Sequence, residues 1–257
     1  MKRVATALVL IPLIVAVIVW ANIWLFLAVL LTIALLTFHE YSGIVEGHSI
    51  AAPGVFAYVA GVAILLLPRV DLIFIVVVAL FTLALAMRFS DMSDCLPWAG
   101  AVLLGLAYIF GCWRFAWELR KVNPWWLLFA LAINWAGDIA AYYVGRSIGR
   151  HPLARVVSPK KSWEGAIASV AASMVFAAVY APRLLPAFPF WPALAIAAAG
   201  NIAGQFGDLC ESALKRGAGM KDSGTLLPGH GGWLDRVDST LFALPVVYAL
   251  VSWIAQR

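Results

Sequence analysis

Long apolar runs constrain the fold of this chain more than any other feature of its sequence. A helix that crosses a bilayer needs about 20 mostly apolar residues, and at least roughly 17. Runs near that length recur along the whole chain, at residues 4–21, 23–37, 54–67, 72–87, 97–113, 125–145, 165–181, 191–209 and 239–255. We therefore predict an all-α, polytopic integral membrane protein with about nine transmembrane helices.

The composition supports this fold class and excludes others. Hydrophobic residues make up 64% of the chain and charged residues 12%, whereas soluble domains are roughly 45–50% apolar and about 25% charged. Disordered chains are poor in hydrophobic residues, so disorder is excluded. The three cysteines are isolated and lack the paired spacing of zinc or redox sites. Lys2 and Arg3 could begin a secretory signal, but the apolar sequence resumes at Ile23, which favours a retained helical hairpin.

The distribution of basic residues predicts the orientation, because cytoplasmic loops carry an excess of Lys and Arg. With a cytoplasmic N-terminus, 12 of the 18 Lys and Arg residues lie inside, including those of both long polar loops. We predict a multi-pass protein of a bacterial inner membrane with a cytoplasmic N-terminus and a cytoplasmic site. The chain forms one membrane domain, 1–257, in which residues 1–120 are scaffold helices and 121–257 a catalytic half. The cytoplasmic loops of that half lie near 146–164 and 210–238.

Acidic residues within or beside the apolar runs are the first candidates for function. Asp138 lies inside the 125–145 run, where an acid costs at least about 2.5–3.5 kcal/mol to insert and usually has a function. Its alternative role is to pair with an arginine and hold two helices together. Asp208, Glu211, Ser212 and Lys215 recur at a spacing that places them on one helix face, which suits binding of a cation and of phosphate. Alternatively, Lys215 and Arg216 are only topology anchors whose charged ends reach the membrane interface.

The loop at 221–239 combines glycines with acids. Gly224, Gly229, Gly231 and Gly232 allow backbone N–H groups to approach a ligand closely, as in phosphate-binding loops. Asp235 and Asp238 stand three residues apart where the last helix begins, at its positive end. Carboxylates together with water and phosphate oxygens are the usual surroundings of magnesium. The alternative is that both acids only cap the helix.

The loop at 145–165 carries five Lys and Arg residues. They are explained by an orientation signal that contacts anionic lipid headgroups. Ser162 followed by Glu164 and Gly165 is also typical of a functional loop that leads into a helix. The residues alone leave both interpretations open.

Several of these segments together resemble a known signature. They are Ser212-x-Leu214-Lys215-Arg216, Lys221-Asp222-x-Gly224, Pro228-x-His230-Gly231-Gly232 and Asp235-Arg236-x-Asp238, with further matches at 138–142, 158–165 and 207–209. In this pattern the sequence resembles the phosphatidate cytidylyltransferases, also called CDP-diacylglycerol synthases. The resemblance is detailed over roughly 135–240. Trp233 departs from it, because the family usually has a medium aliphatic residue there; the departure affects packing more than chemistry.

The resemblance implies a nucleotidyltransferase of phospholipid biosynthesis. It would form CDP-diacylglycerol and pyrophosphate from CTP and phosphatidic acid, with Mg²⁺ and with a second cation as an option. The implied partners are these substrates and membrane lipids, without nucleic acid, and the family suggests a homodimer. The attacking phosphate oxygen is already anionic, so catalysis would consist of positioning and charge neutralisation.

The resemblance also implies roles for particular residues. The expected metal ligands are Asp208, Asp235 and Asp238, with Asp138 and Asp222 as weaker candidates. The expected catalytic residues are Asp208, Lys215, Lys221, His230, Asp235 and Asp238. The expected substrate-binding residues are Lys160, Lys161, Ser162, Arg216, Asp222, Gly231, Gly232 and Arg236.

Three alternatives remain open at the level of sequence. A CTP-dependent transferase or kinase acting on another membrane lipid, such as a polyprenol, would need the same acids and bases. An ion-coupled transporter would use Asp138, although transporters often have repeated halves and this chain has its charge on one side. A catalytically silent scaffold would not need the acids at all.

Overall fold

The computed structural model describes residues 12–225 and 231–256, so much of the first predicted span lies outside the described residues. Residues 12–19 are helical. The first complete helix, α1 (Ile23–Gly47), begins after Asn22, whose side chain accepts a hydrogen bond from Leu25 N at 2.8 Å. Two shorter apolar helices follow, α2 (Gly54–Leu66) and α3 (Leu72–Ala86).

The next helix, α4 (Met92–Val122), is continuous over 31 residues. It contains a π-helical segment at Leu106–Gly111, and such widened turns occur often at functional sites. The remaining helices are α5 (Pro124–Ile148), α6 (Trp163–Leu184), α7 (Phe190–Gly217) and α8 (Asp238–Ala255). A helix therefore stands where each apolar run predicts one, within the described residues.

Five of these helices, α1, α4, α5, α6 and α8, are long and apolar enough to cross a membrane. This confirms a multi-pass, mainly helical membrane protein. The number of about nine crossings stays a prediction.

The helices extend beyond the apolar runs that predict them. The run at 23–37 becomes a helix that ends at Gly47, and the run at 191–209 becomes one that ends at Gly217. Hydropathy detects the stretch inside the hydrocarbon, whereas helical hydrogen bonding continues into the polar interface. The all-α expectation also misses a short antiparallel hairpin, in which β1 (Pro152–Ala154) pairs with β2 (Ser158–Ser162).

Small residues let the helices of the second half pack closely. A Cβ atom at Gly204 of α7 would lie 2.2 Å from the Asn134 Oδ1 atom of α5. A Cβ atom at Gly207 would lie 2.6 Å from the backbone oxygen of Asp238, where α8 begins. Glycine at such contacts is typical of membrane helices whose backbones approach each other. The packing brings the polar ends of α5, α7 and α8 together.

The first half of the chain contacts the second half near the end of α7. His48, just after α1, places its Nε2 atom 2.9 Å from the Leu214 backbone oxygen. Elsewhere, arginines of α4 bind helix ends. The Arg114 Nη1 atom donates to the Ile64 oxygen at 2.6 Å, and the Arg120 Nε atom donates to the Ile18 oxygen at 2.8 Å. These bonds satisfy carbonyls that have no partner within their own helix.

Candidate active site

An acidic cavity of about 380 Å³ lies where α5, α7 and the start of α8 meet. Its lining residues are Asn134, Trp135, Asp138, Asp208, Lys215, Asp222, Asp235, Arg236, Asp238, Ser239 and Thr240. Five carboxylates therefore surround it, against two cationic side chains. Such an excess of negative charge favours the binding of cations.

A basic cavity of about 650 Å³ adjoins the first. Arg146, Lys160 and Lys161 line it together with apolar side chains such as Tyr142 and Leu153. The two cavities share the side chains of Asp138, Asp208 and Ser239. A ligand in one cavity would therefore lie next to a ligand in the other.

Lys215 joins α7 to the turn that precedes α8. Its side chain is only 10% exposed and forms an ion pair with Glu211, one helical turn earlier, at 2.6 Å. It forms a second ion pair with Asp235. One buried cation thus pairs with two carboxylates, and removing it would take the cationic partner of this ion pair from both.

Both carboxylate oxygens of Asp235 have partners, Lys215 on Oδ1 and backbone amides on Oδ2. Its Oδ2 atom accepts hydrogen bonds from Ser223 N at 3.0 Å and from Gly232 N at 2.7 Å. Burial by itself raises the pKa of Asp235, but the bonds from Lys215 and Gly232 outweigh it, so this pKa lies below its usual range. Gly231 has a φ of 78° and leaves room for the carboxylate, since a Cβ atom there would lie 2.8 Å from Oδ2.

The hairpin brings a cation to the acids of α7. Lys161 on β2 forms an ion pair with Asp208, which also accepts a 3.4 Å hydrogen bond from the Ser212 hydroxyl. The Ser162 hydroxyl accepts a hydrogen bond from Gly165 N at 3.2 Å and so caps α6. The hairpin is closed by a contact of 2.6 Å between His151 Nδ1 and Glu164 Oε1.

A model of the cytidylyltransferase family matches residues 1–254. The chain belongs to the cytidylyltransferase family. This confirms the resemblance on which the site prediction rests.

Curated relatives carry a more specific name within this family. Phosphatidate cytidylyltransferase of Bacillus subtilis (strain 168) is 37% identical over 156 residues, which are 60% of this chain and 58% of that protein. The enzyme of that name from Staphylococcus saprophyticus is 38% identical over 164 residues, 64% of this chain and 61% of that protein. The enzyme of that name from Staphylococcus aureus (strain COL) is 36% identical over 175 residues, which are 68% of this chain and 65% of that protein. The chain thus spans about three fifths of the length of the relatives it matches.

The acids of the site fit a magnesium ion that arrives with a phosphate ligand. Among the described residues, no group of three or more His, Cys, Asp or Glu side chains could by itself hold a metal ion. Mg²⁺ usually takes only one or two carboxylates and completes its shell with water and substrate phosphates. The Asp208 and Asp238 carboxylates line the acidic cavity and could serve in this way.

The structure brings most of the predicted site residues to the two cavities. The acidic cavity gathers Asp138, Asp208, Lys215, Asp222, Asp235, Arg236 and Asp238. The basic cavity gathers Lys160, Lys161 and Ser162. Their predicted roles stay predictions, but their proximity follows from the fold.

Other predicted residues lie elsewhere. Arg216 is exposed, lines neither cavity, and donates to the Met220 oxygen at 3.1 Å. Lys221 is exposed in the loop and also lines neither cavity. Gly232 is buried, and its N–H donates to Asp235. His230, with Gly229, lies outside the described residues.

Glu40 is a residue of the site that the sequence prediction missed. It lies on α1, in the half interpreted as scaffold, and is only 4% exposed. Its carboxylate accepts hydrogen bonds from Ser223 Oγ at 2.7 Å, and from Trp233 N and Leu234 N, each at 2.8 Å. The predicted span ends at residue 37, three residues before Glu40. A helix extended past the apolar run would have placed Glu40 on α1, at the same polar interface as the predicted site.

Proposed function

We propose that the protein is a CTP:phosphatidate cytidylyltransferase, which forms CDP-diacylglycerol and pyrophosphate for phospholipid biosynthesis. The observation that carries this proposal is the adjoining pair of cavities, one rich in carboxylates and one rich in cations. Both substrates are polyanions, so the reaction needs a site for cation-bound phosphates next to a site with protein cations. Membership of the cytidylyltransferase family supports the same reaction class.

The two cavities suit different substrates. The acidic cavity would receive the triphosphate of CTP together with its cation. The basic cavity would receive the phosphate of phosphatidic acid through Arg146, Lys160 and Lys161, beside the apolar side chains of Tyr142 and Leu153. The shared wall at Asp138 and Asp208 is then where the two reacting phosphates meet.

The reaction is an in-line displacement. A phosphate oxygen of phosphatidic acid forms a bond to the α-phosphorus of CTP, the bond to the β-phosphate bridge breaks, and pyrophosphate leaves. Bound Mg²⁺, with a second cation as an option, would supply charge neutralisation to the phosphate oxygens from a site at Asp208 and Asp238, since Lys215, Ser223 N and Gly232 N already bond to both oxygens of Asp235. Lys215 holds Asp235 in place, and Lys161 holds Asp208. No protein nucleophile is needed.

The proposed topology has nine spans in one membrane domain, with the N-terminus and both cavities cytoplasmic, where CTP is available. Contacts between helix ends support it. His48 joins the end of α1 to the end of α7, two ends that this topology places inside. Arg114 joins α4 to the end of α2, and Arg120 joins it to residues 18–21, all of them ends that it places outside. The homodimer that the family suggests stays a prediction.

The purified protein is tested with CTP, phosphatidic acid and Mg²⁺, by following lipid-linked CMP. We expect product from the wild type, and a loss of about 100-fold or more in Asp235→Asn, because charge stabilisation at the site is weakened. Asp94→Asn is the matched control, since Asp94 is exposed and far along the chain from the cavities. Thermal unfolding verifies that all three proteins are folded.

Two results would contradict this proposal. Absence of product with several phosphatidic acids would overturn the substrate assignment. Preferential use of a polyprenol substrate would support the alternative lipid transferase or kinase instead. Near-normal turnover of Asp235→Asn would remove Asp235 from the site while leaving the reaction itself in place.

A further inference from the structure

Glu40 is a buried acid that the proposed reaction does not use. Among the described residues, the groups that donate hydrogen bonds to it are a hydroxyl and two backbone amides, all of them neutral. A carboxylate can accept all three bonds, because both of its oxygens have free lone pairs. A glutamine of the same shape cannot, since its NH₂ group is a donor and would face another donor. The site is therefore built for a carboxylate.

The three donors come from two separate parts of the glycine-rich loop, a name that we use for its described residues, 218–225 and 231–237. Ser223 lies before residues 226–230, and Trp233 and Leu234 lie after them. Glu40 thus holds two parts of the loop against α1. The same parts donate to Asp235, through Ser223 N and Gly232 N. Asp235 N in turn donates to Ser223 Oγ at 3.3 Å.

Two of the glycines in this loop leave room for Glu40. A Cβ atom at Gly224 would lie 2.6 Å from Glu40 Oε1, and one at Gly232 would lie 2.4 Å from Oε2. The sequence pattern suggests that these glycines let the backbone approach phosphate. In the structure they let it approach a protein carboxylate, which explains their small size without a ligand.

We propose that Glu40 is a positioning residue that fixes the glycine-rich loop and thereby sets Asp235 and Lys215 at the acidic cavity. This inference rests on the proposed function, because the positions it fixes are those of the nucleotide site. The connection runs from α1 through Ser223 and Asp235 to Lys215 on α7. The basic cavity does not include any residue of this loop. Loss of Glu40 therefore affects CTP and leaves binding of phosphatidic acid nearly unchanged.

The test is Glu40→Gln, with Glu46→Gln as the matched control on the exposed side of the same helix. We expect Glu40→Gln to lower kcat/KM for CTP by roughly 10- to 100-fold, because small displacements of catalytic groups have effects of this size. KM for phosphatidic acid should change by less than about threefold, because uniform substrate binding is preserved. A general loss of structure would change both kcat/KM for CTP and KM for phosphatidic acid. Glu46→Gln should match the wild type.

Hydrogen exchange gives a second readout that does not need activity. Peptides covering 231–236 should exchange at least about tenfold faster in Glu40→Gln, since the Trp233 or the Leu234 amide, whichever faces the new NH₂ group, loses its acceptor. Ser223→Ala should raise the same rate, and the double variant Glu40→Gln/Ser223→Ala should change kcat/KM by less than the sum of the single effects. If Glu40→Gln does not fold, Ser223→Ala and Glu40→Asp provide the same comparison.

The outcomes separate the two proposals. Normal exchange and normal kinetics in a folded Glu40→Gln protein would overturn the positioning role. An equal rise in KM for CTP and in KM for phosphatidic acid would overturn it as well. A wild type that is inactive with both substrates would contradict the proposed function. Faster hydrogen exchange in Glu40→Gln would still support the conclusion that Glu40 fixes the position of the loop.

Discussion

At the scale of residues, the site depends on a few buried charges that share partners. Lys215 serves Glu211 and Asp235, and Asp235 is also bonded to Ser223 N and Gly232 N. A buried ion pair is strongly destabilised when one partner is removed, because the other charge is left uncompensated. These contacts hold the loop against α7, so the protonation of Asp235 should affect both stability and activity.

The pKa of Asp235 predicts an acid-sensitive stability. Its folded-state pKa lies below the usual value, which is about 3.9 in an unfolded chain. The stability that it contributes is therefore present above pH of about 4 and is lost as the pH falls through the folded-state pKa. We expect the unfolding temperature of detergent-solubilised Asp235→Asn to fall less between pH 5 and pH 3 than that of the wild type. These pH values are about one unit on either side of the unfolded pKa.

Asp94→Asn is the control for this measurement, and its unfolding temperature should fall with pH in parallel with that of the wild type. Asp94 is exposed on the turn that begins α4. If the unfolding temperatures of the wild type and Asp235→Asn fall in parallel with pH, protonation of Asp235 does not contribute to acid unfolding.

At the scale of elements, the sequence predicts the helices well and their ends poorly. The apolar runs mark the positions of α1 to α8, because lipid imposes a strong compositional signal. They do not mark the polar extension of α1, where Glu40 lies, because hydropathy detects only the apolar part of a helix that lies in the hydrocarbon. They also do not predict the β1–β2 hairpin that brings Lys161 to Asp208. Residue spacing together with the family resemblance predicts the chemistry-bearing loops, but the partners of their side chains are set by long-range packing.

The contact of α5 with α6 and α7 depends on Gly137. A Cβ atom there would lie 2.3 Å from Asn201 Nδ2 and 2.4 Å from Ser169 Oγ. We expect Gly137→Ala to destabilise the protein by about 1–3 kcal/mol, because overpacking forces the helices apart. Activity should also fall, since the neighbouring Asp138 lines both cavities. Thermal unfolding and the CTP assay measure the two effects.

Gly43→Ala is the matched control for this substitution. Gly43 lies inside α1, and a Cβ atom there would meet no atom within 4 Å. Alanine should therefore leave the protein unchanged or stabilise it by about 0.5–1 kcal/mol, the usual gain within a helix. Equal unfolding temperatures for the two variants would contradict the close packing at Gly137.

At the scale of the whole molecule, the two halves are less separate than the charge distribution suggests. The charge pattern assigns chemistry to residues 121–257 and a scaffold to 1–120, and most of the cavity lining does come from the second half. Glu40 and His48, from the first half, nevertheless contact the loop and the end of α7. A sequence pattern could not reveal these contacts, because they join residues more than 160 positions apart.

The proposed topology is tested by cysteine labelling in a background from which Cys95, Cys112 and Cys210 are removed. Arg69 and Val156 are both exposed, Val156 at 91%, and three predicted spans lie between them. An odd number of crossings places them on opposite sides of the membrane. We expect a membrane-impermeant maleimide to label Arg69→Cys in intact cells, and Val156→Cys only after permeabilisation. The reverse pattern would invert the orientation, because Val156 would then face outward. Labelling of both from the same side would mean that one of α3, α4 and α5 does not cross, since only an even number of crossings returns the chain to the same side.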